Sequence, residues 1–259
     1  MGIANLAALL ACGFAMGIGA LGSGWGLGYA ARGALRALAR QPYRQSDIFR
    51  TMLVGQAVTE TPAIFSLVIS FLLFFSVEKA MDAPNSPSQI AVFLAAGLCI
   101  GIGAIGSGVG SGIVAKEAID GISKNPSSQG QVTMLMLIGQ AWAQTGGIFA
   151  LVISLFLLNV GGFAGLSGAS DYHLLSLVPV SGDEIVGVAR YIGAGMSMGI
   201  GAVGSSLGIA YVGAMACRSV ATFPVAAARV KTAYFIGSAT AQSPSVFSLI
   251  IALILIMQG

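Results

Sequence analysis

The chain has 259 residues, of which 56% are hydrophobic and only 8% are charged, and its formal net charge is +3. Soluble domains carry about 25% charged residues, so this composition excludes a soluble domain and predicts an integral membrane protein. The basic residues are few and cluster at the ends of apolar runs, which excludes a nucleic-acid-binding surface.

Six apolar runs follow one another along the chain, near residues 3–31, 48–77, 88–115, 130–160, 187–217 and 225–257. Each run exceeds the roughly 20 residues that cross a bilayer as a helix. The sequence therefore predicts an all-α membrane protein with six transmembrane helices. Cys12, Cys99 and Cys217 lie inside these runs and His173 has no companion ligand, so we expect neither a disulfide nor a metal site.

The six helices are three copies of one unit. Gly17-Ile-Gly19 recurs 84 residues later and again after a further 98 residues. The same two offsets relate Pro42, Pro126 and Pro224, then Glu60, Gln144 and Gln242, then Phe65, Phe149 and Phe247. We therefore expect three tandem helical hairpins over residues 1–80, 88–162 and 184–259, with an extended connector over 163–183.

The first helix of each hairpin is rich in glycine. GIGALG, GIGAIG and GIGAVG fit the G-x-G-x-x-G pattern of dinucleotide sites, but that pattern needs a preceding strand and a helix N-terminus. Here the glycines lie inside long apolar helices, so we expect no nucleotide and no other cofactor. We interpret them as close-packing positions, which predicts a narrow inner layer of first helices inside a layer of bulkier second helices.

Basic residues predict the orientation in the membrane. The loops within hairpins are expected to hold Arg32, Arg36, Arg40, Arg44, Arg50, Lys116, Lys124, Arg218, Arg229 and Lys231. The connectors between hairpins hold Lys79 and Arg190 together with several acids. By the positive-inside rule, the hairpin loops are predicted to be cytoplasmic and both termini to lie on the outer side.

Glu60 alone among the nine acids lies near the middle of an apolar run. A charged carboxylate there costs about 2.5–3.5 kcal/mol or more, and removal from water favours the neutral form, so we expect a protonated or ion-paired Glu60. Gln144 and Gln242 have the size of protonated glutamic acid but cannot become anions. One hairpin of three is therefore predicted to load and release an ion, the alternative being a structural, hydrogen-bonded Glu60.

These residues carry a resemblance to a known family. GLGYAARGALRALARQP followed by DIFRTMLVGQAVTETPAIFSLVIS resembles the c subunit, or proteolipid, of F-type rotary ATP synthases. The resemblance covers hairpin 1 closely and, through the repeat, all but the connectors. The fusion is similar to that in the multi-hairpin proteolipids of V-type and archaeal-type ATPases.

The resemblance implies a two-layered ring of copies of this chain, alone or with other c subunits, that turns in the membrane lipid against a stator a subunit. It assigns ion binding to Glu60, with Thr61 and Val58 beside it, and contact with the central stalk to Arg40, Gln41 and Pro42. The stator arginine that opens the carboxylate belongs to another chain. Because Thr222-Phe223-Pro224 matches the stalk loop poorly, hairpin 3 is expected to touch the stalk weakly or not at all.

The resemblance also bears on the ion. Sodium-binding relatives use an inner-helix glutamine, the carboxylate, the hydroxyl after it and a tyrosine. Here the glutamine position holds Leu27, Ser111 or Ile209, the tyrosine position holds Phe65, Phe149 or Phe247, and the hydroxyl persists as Thr61, Thr145 and Ser243. Since a hard cation needs several oxygen ligands, we predict protons, with sodium as the alternative.

Two other functions stay open. One is a stand-alone six-helix channel or carrier with Glu60 as its proton relay, and the other is a structural proteolipid without transport. A carrier is expected to gather several polar groups at the membrane midplane, whereas this sequence offers one acid and two glutamines on evenly repeated helices. The rotor subunit is therefore the favoured hypothesis, and no ATP site is expected in this chain.

Overall fold

The structure, a computed structural model, describes residues 3–80, 87–160 and 184–258. The predicted connector 163–183, which includes His173, lies outside the described residues. The long helices are α1 (Ile3–Arg40), α2 (Gln45–Ala80), α3 (Pro87–Lys124), α4 (Gln129–Ala143), α5 (Thr145–Val160), α6 (Glu184–Thr222) and α7 (Ala227–Met257). Since α4 and α5 are two halves of one span, the described residues hold six helical spans that are long and apolar enough to cross a membrane. The predicted all-α fold of three tandem hairpins is confirmed.

Each hairpin turns through a single-turn 3-10 helix that begins at a proline: Pro42–Arg44, Pro126–Ser128 and Pro224–Ala226. Proline suits the first position of a helix because the amide there has no helical partner. The turns share this geometry although their sequences differ.

The inner helices extend beyond the apolar runs. α1 continues to Arg40, so the expectation that Arg32, Arg36 and Arg40 lie in a loop was wrong. Arg50, also expected in that loop, lies inside α2. The same correction applies to the basic residues expected in the other two loops and to Arg190, expected in a connector, since all of them lie in helices: Lys116 and Lys124 in α3, Arg190 and Arg218 in α6, and Arg229 and Lys231 in α7. The physical reason is helix propensity: apart from Gly33, the segment ARGALRALAR consists of alanine, leucine and arginine, which are among the strongest helix formers.

α1, α3 and α6 stand side by side with α3 in the middle, and we call these three helices the inner row. The outer spans α2, α4–α5 and α7 each cover the inner helix of their own hairpin. Glycine allows the inner row to pack closely. A methyl group added at Gly101 would lie 2.9 Å from the carbonyl oxygen of Phe14, and one added at Gly106 would lie 2.9 Å from that of Val203. Such contacts leave no room for a side chain, so these glycines serve close packing as predicted.

Buried apolar side chains form two clusters at different levels. One lies toward the hairpin loops and includes Ile119 and Leu135, and the other lies toward the opposite helix ends and includes Phe93 and Leu157. Between them is a level of small and polar side chains, among which Thr59, Ser107, Ser111, Gln140, Gln144 and Ser206 are buried. The carboxylate position of all three hairpins falls at this middle level.

Candidate ion site

Glu60 lies on α2 between the two apolar clusters. Its side chain is exposed on the single chain. Within the described ranges its carboxylate forms neither a hydrogen bond nor an ion pair, and no other Asp or Glu of those ranges lies at this level. The middle level thus combines neutral hydrogen-bonding groups with one ionisable carboxyl.

Pro62 leaves a backbone hydrogen-bond acceptor free beside Glu60. A proline has no amide hydrogen, so the carbonyl four residues earlier, that of Val58, loses its helical hydrogen bond. Gln144 Nε2 donates to this oxygen at 2.5 Å. The residue that replaces the carboxylate in hairpin 2 therefore reaches back to hairpin 1 and satisfies a backbone group that the proline left free.

Gln140, one helical turn before Gln144, reinforces this interface. Its side chain is fully buried, and its Nε2 lies 2.8 Å from the Gly55 carbonyl oxygen and 3.1 Å from both Thr59 Oγ1 and the Ser111 carbonyl oxygen. Thr59 Oγ1 in turn donates to the Gly55 carbonyl at 2.7 Å. Gln140 and Thr59 thereby join α2, α3 and α4 at the level of the carboxylate.

The sequence analysis missed both residues. The available signal was the tripeptide Gly-Gln-Ala, which starts at Gly55 and again at Gly139. It puts an amide four residues before the carboxylate position, and residues four apart share one face of a helix. In hairpin 1 the equivalent Gln56 donates to the Leu27 carbonyl at 3.3 Å.

Gln242 meets hairpin 2 in a related way. The hydroxyl of Thr145 donates to Gln242 Oε1 at 2.7 Å, and Gln242 Nε2 is buried without a partner. Hairpin 2 carries Gly146 where the other hairpins carry proline, and the carbonyl of Trp142 lies 2.8 Å from Thr145 Oγ1. At both interfaces within the chain, the glutamine at the carboxylate position faces the preceding hairpin.

The predicted ion-binding residues divide between two sides of α2. The Val58 carbonyl contacts Gln144 of hairpin 2 rather than Glu60. Thr61 is half-buried, and its equivalent Thr145 contacts the following hairpin. Glu60 points to neither neighbour within its own chain.

The predicted stalk loop lies at the N-terminal end of α2, about 22 Å from Glu60 at 1.5 Å per residue. The Arg40 guanidinium pairs with Asp120 of α3, and Lys124 pairs with the same carboxylate at 2.6 Å. Gln41 joins α1 to the turn that begins at Pro42, and Tyr43 at its apex is fully exposed. The Arg40–Asp120 pair links the end of α1 to hairpin 2, and the apex of the turn stays exposed.

The inner row has two open edges that match each other. On α1, a methyl group added at Gly13, Gly17, Gly24 or Gly28 meets nothing within 4 Å, whereas at the equivalent positions of α3 (Gly97, Gly101, Gly108 and Gly112) it would contact the backbone of α1. On α6, Gly204 is open, whereas its equivalent Gly106 faces α6 closely. The open edge of α1 is therefore equivalent to the face of α3 that packs on α1. The open edge of α6 is equivalent to the face of α3 that packs on α6.

Fold and site together define a class: membrane-embedded proteolipids built from tandem hairpins, with a glycine-packed inner row and a mid-membrane carboxylate on an outer helix. A sequence profile of the ATP synthase C subunit matches residues 10–73, 94–157 and 192–255. The chain therefore belongs to the ATP synthase C subunit family, with three copies of the unit fused in one polypeptide.

Individual relatives agree with this assignment. The ATP synthase c subunit of Thermotoga petrophila is 38% identical over 84 residues, which are 32% of this chain and 99% of that protein. The ATP synthase c subunit of Syntrophobacter fumaroxidans is 42% identical over 80 residues, which are 28% of this chain and 89% of that protein. The A-type ATP synthase K subunit of Methanocaldococcus jannaschii is 32% identical over 150 residues, which are 58% of this chain and 64% of that protein.

The family and the triple fusion predicted from the sequence are thus confirmed. So are the integral membrane location and, at the level of the family, the role as a rotor-ring subunit of a rotary ATP synthase.

Proposed function

We propose that this chain carries protons in the rotor ring of a rotary ATP synthase or ATPase, and that Glu60 is its only carrier, one for three hairpins. The observation that carries the proposal is the position of Glu60. It is an ionisable group at the middle level of the membrane span, exposed on the single chain, while its two equivalents are neutral amides engaged with the preceding hairpin.

The two open edges support the formation of a ring. A second copy that repeats the internal relation brings the open glycines of its α1 against α6 of the first copy. A head-to-tail contact of this kind forms a closed ring when its rotation closes. We call the contact between hairpin 3 of one copy and hairpin 1 of the next copy the seam.

Inside the chain, the residue at the carboxylate position faces the preceding hairpin. The same relation at the seam turns Glu60 toward hairpin 3 of the preceding copy. Pro244 stands at the place of Pro62, so the carbonyl of Thr240 has lost its helical hydrogen bond and is available to a new donor. A protonated Glu60 donates to that carbonyl as Gln144 does to Val58. When the proton leaves, the hydroxyl of Ser243 is the nearby donor for the carboxylate.

The rest of the complex supplies what this chain lacks. A stator a subunit is expected to bring an arginine that attracts the Glu60 carboxylate and lets the proton exchange with each half-channel in turn. The central stalk is expected to bind the exposed turn at Arg40, Gln41 and Pro42. The hairpin turns would face the cytoplasm and both termini the outer side, in line with the charge asymmetry.

The choice of proton over sodium rests on the oxygen atoms at the seam. They are the Glu60 carboxylate, the Thr240 carbonyl and the Ser243 hydroxyl, while the inner-helix position beside them is Ile209, which is fully buried and offers no oxygen. A hard cation requires more oxygen ligands than these, whereas a proton requires one carboxyl and one acceptor. Sodium is the alternative that the experiment below tests.

Labelling with a hydrophobic carbodiimide tests the proposal, because the reagent modifies protonated carboxyls in apolar surroundings. We expect modification of Glu60 alone, its loss in Glu60→Gln and its persistence in the matched control Glu117→Gln. Labelling of Glu60→Gln at the wild-type rate contradicts the assignment. Protection of Glu60 by sodium at neutral pH overturns the choice of ion.

A further inference from the structure

A groove lies on the outer surface between α2 and α4, away from the ion site. Its volume is about 740 Å³, and we call it the Arg50 groove. It is lined by Arg50, Thr51, Val54, Gln129, Gly130, Thr133, Met134, Leu137 and Ile138. Both walls belong to one chain and to its outer layer, so the groove remains open to the surrounding membrane however many copies the ring contains.

The groove is polar at one end and apolar along its length. Arg50, Gln129 and Thr133 mark the end near the hairpin turns, whereas Val54, Met134, Leu137 and Ile138 line the part that runs toward the membrane middle. At 1.5 Å per residue, the wall from Gln129 to Ile138 is roughly 13 Å long. A basic, hydrogen-bonding end followed by an apolar channel of that length matches a phosphate headgroup followed by the upper part of an acyl chain.

Arg50 is the charged group of this groove. Its side chain is exposed, and it forms no ion pair within the described part of the chain. The equivalent residues are Met134 and Thr232, so an arginine stands at this position in hairpin 1 but not in hairpins 2 and 3. Hairpin 3 carries its own basic residue, Lys231, at the position of the groove-lining Thr133. Arginine binds phosphate through two parallel hydrogen bonds, which suits a headgroup at the membrane interface.

Gly130 keeps the groove open. A methyl group added there meets nothing within 4 Å, so the missing side chain leaves space beside Arg50 that no part of the chain fills. This glycine lies in the first turn of α4, where it has no role in the packing of the inner row. The open space at Gly130 and the unpaired guanidinium of Arg50 thus lie in the same groove.

We infer that the Arg50 groove binds one anionic glycerophospholipid, with its phosphate on Arg50 and one acyl chain along Val54, Met134 and Leu137. This site goes beyond the ion-carrying function and does not depend on it, because Arg50 and Glu60 lie roughly 15 Å apart along α2. A lipid held there fills the Arg50 groove on the outer surface of the ring and turns with the ring.

Native mass spectrometry of the purified, assembled protein tests the inference. The protein is titrated with phosphatidylglycerol and with phosphatidylcholine of the same acyl chains. We expect tighter binding of phosphatidylglycerol, and Arg50→Gln should weaken that binding about fivefold, which is the contribution of one basic residue near an anionic lipid. Gly130→Leu should also weaken it by filling the groove, although the charge is unchanged.

Arg229→Gln is the matched control, because it removes one arginine from α7 near the same level, and the repeat-equivalent Gln131 does not line the groove. The inference is overturned if Arg229→Gln and Arg50→Gln weaken binding equally, since general charge attraction is then sufficient. It is also overturned if Gly130→Leu binds phosphatidylglycerol as wild type does, or if glycerol 3-phosphate, which has no acyl chain, competes at equal concentration. Unchanged assembly mass and helical circular dichroism establish that each variant is folded.

Discussion

Glutamine takes two different parts at the middle level of this protein. Gln144 and Gln242 occupy the carboxylate position and contact the preceding hairpin, which a protonated glutamic acid would also do. Gln140 instead fills a buried niche bounded by Gly55, Thr59 and Ser111. Gln144 and Gln242 thus preserve packing at positions where an amide cannot exchange an ion. Gln140 holds hairpins 1 and 2 together.

Gln140→Leu should therefore lower the stability of the chain. The substitution keeps most of the volume but removes the donor for three acceptors, and a buried hydrogen-bonding group left without its partner costs about 1–3 kcal/mol. Resistance to unfolding in a titration with sodium dodecyl sulfate measures the effect. Gln56→Leu is the control, because the half-buried Gln56 donates one longer bond within the chain; equal losses in both variants would contradict this account of Gln140.

At the scale of the helices, proline and glycine decide which surfaces are polar and which are close-packed. Pro62 and Pro244 stand two residues after the carboxylate position in α2 and α7, and each frees a backbone carbonyl in the middle of an apolar helix. The glycines of α1 and α3 let backbones touch without side chains. One set of glycines is used inside the chain, and its equivalents on α1 are open on the single chain.

Gly24→Val and Gly108→Val should therefore differ in effect, the first on ring assembly and the second on folding. Gly108 faces the backbone of Gly22 and Ser23, whereas a side chain at Gly24 meets nothing within 4 Å. We expect Gly108→Val to impair folding and Gly24→Val to leave a folded, helical chain that no longer forms a ring. Circular dichroism and the mass of the detergent-solubilised particle measure the two outcomes. A full-size ring formed by Gly24→Val would show that this face of α1 is outside the seam.

At the scale of the whole molecule, three equivalent hairpins carry one carboxyl at the middle level. If Glu60 is the carrier, as proposed, a ring made only of this chain moves one ion for every three hairpins in each turn, while the ATP made or used per turn is set by the soluble head. A fixed free energy of ATP hydrolysis is divided among fewer ions, so each ion receives a larger share. The complex should pump against steeper gradients and require a larger driving force for synthesis.

Introducing carboxyl groups at the two glutamine positions tests this dependence of the ion-to-ATP ratio on the number of carboxyls. Gln144→Glu together with Gln242→Glu should raise the ion-to-ATP ratio up to threefold, since a protonated carboxyl introduced at position 144 donates to the Val58 carbonyl as the amide does now. The measurement is the ion gradient at which net pumping stops at a fixed ATP/ADP ratio. That limit should fall in the double variant. An unchanged limit in a variant that is fully coupled and loaded at all three positions would refute the proposal.

The orientation in the membrane has a direct test of its own. Cysteines introduced at Gln41 and at Gln258 lie at opposite ends of the hairpins, and both positions lie away from the buried core. In a Cys12→Ser background, we expect an impermeant thiol reagent to reach Gln258→Cys from the outer side and Gln41→Cys from the cytoplasmic side. Reaction of both from one side would contradict the hairpin topology, and the reverse pattern would invert the orientation.

Several features of this protein were fixed by the sequence alone. The six spans, the three hairpins and the single mid-membrane carboxylate could be predicted because the length of an apolar run, the spacing of a repeat and the solvation cost of a charge need no tertiary contacts. The end of α1 was misjudged because helix propensity extends beyond the apolar run, as the helical Arg32, Arg36 and Arg40 demonstrate.

The tertiary structure decided which groups meet. The sequence contains Val58, Gln140, Gln144 and Gly24, but it does not state that Gln144 reaches the Val58 carbonyl, that Gln140 is buried between hairpins, or that Gly24 lies on an open edge. These facts depend on the rotation and axial offset of one helix against another. Those two quantities arise from close packing summed over many residues of several helices, and no local pattern in the chain contains them.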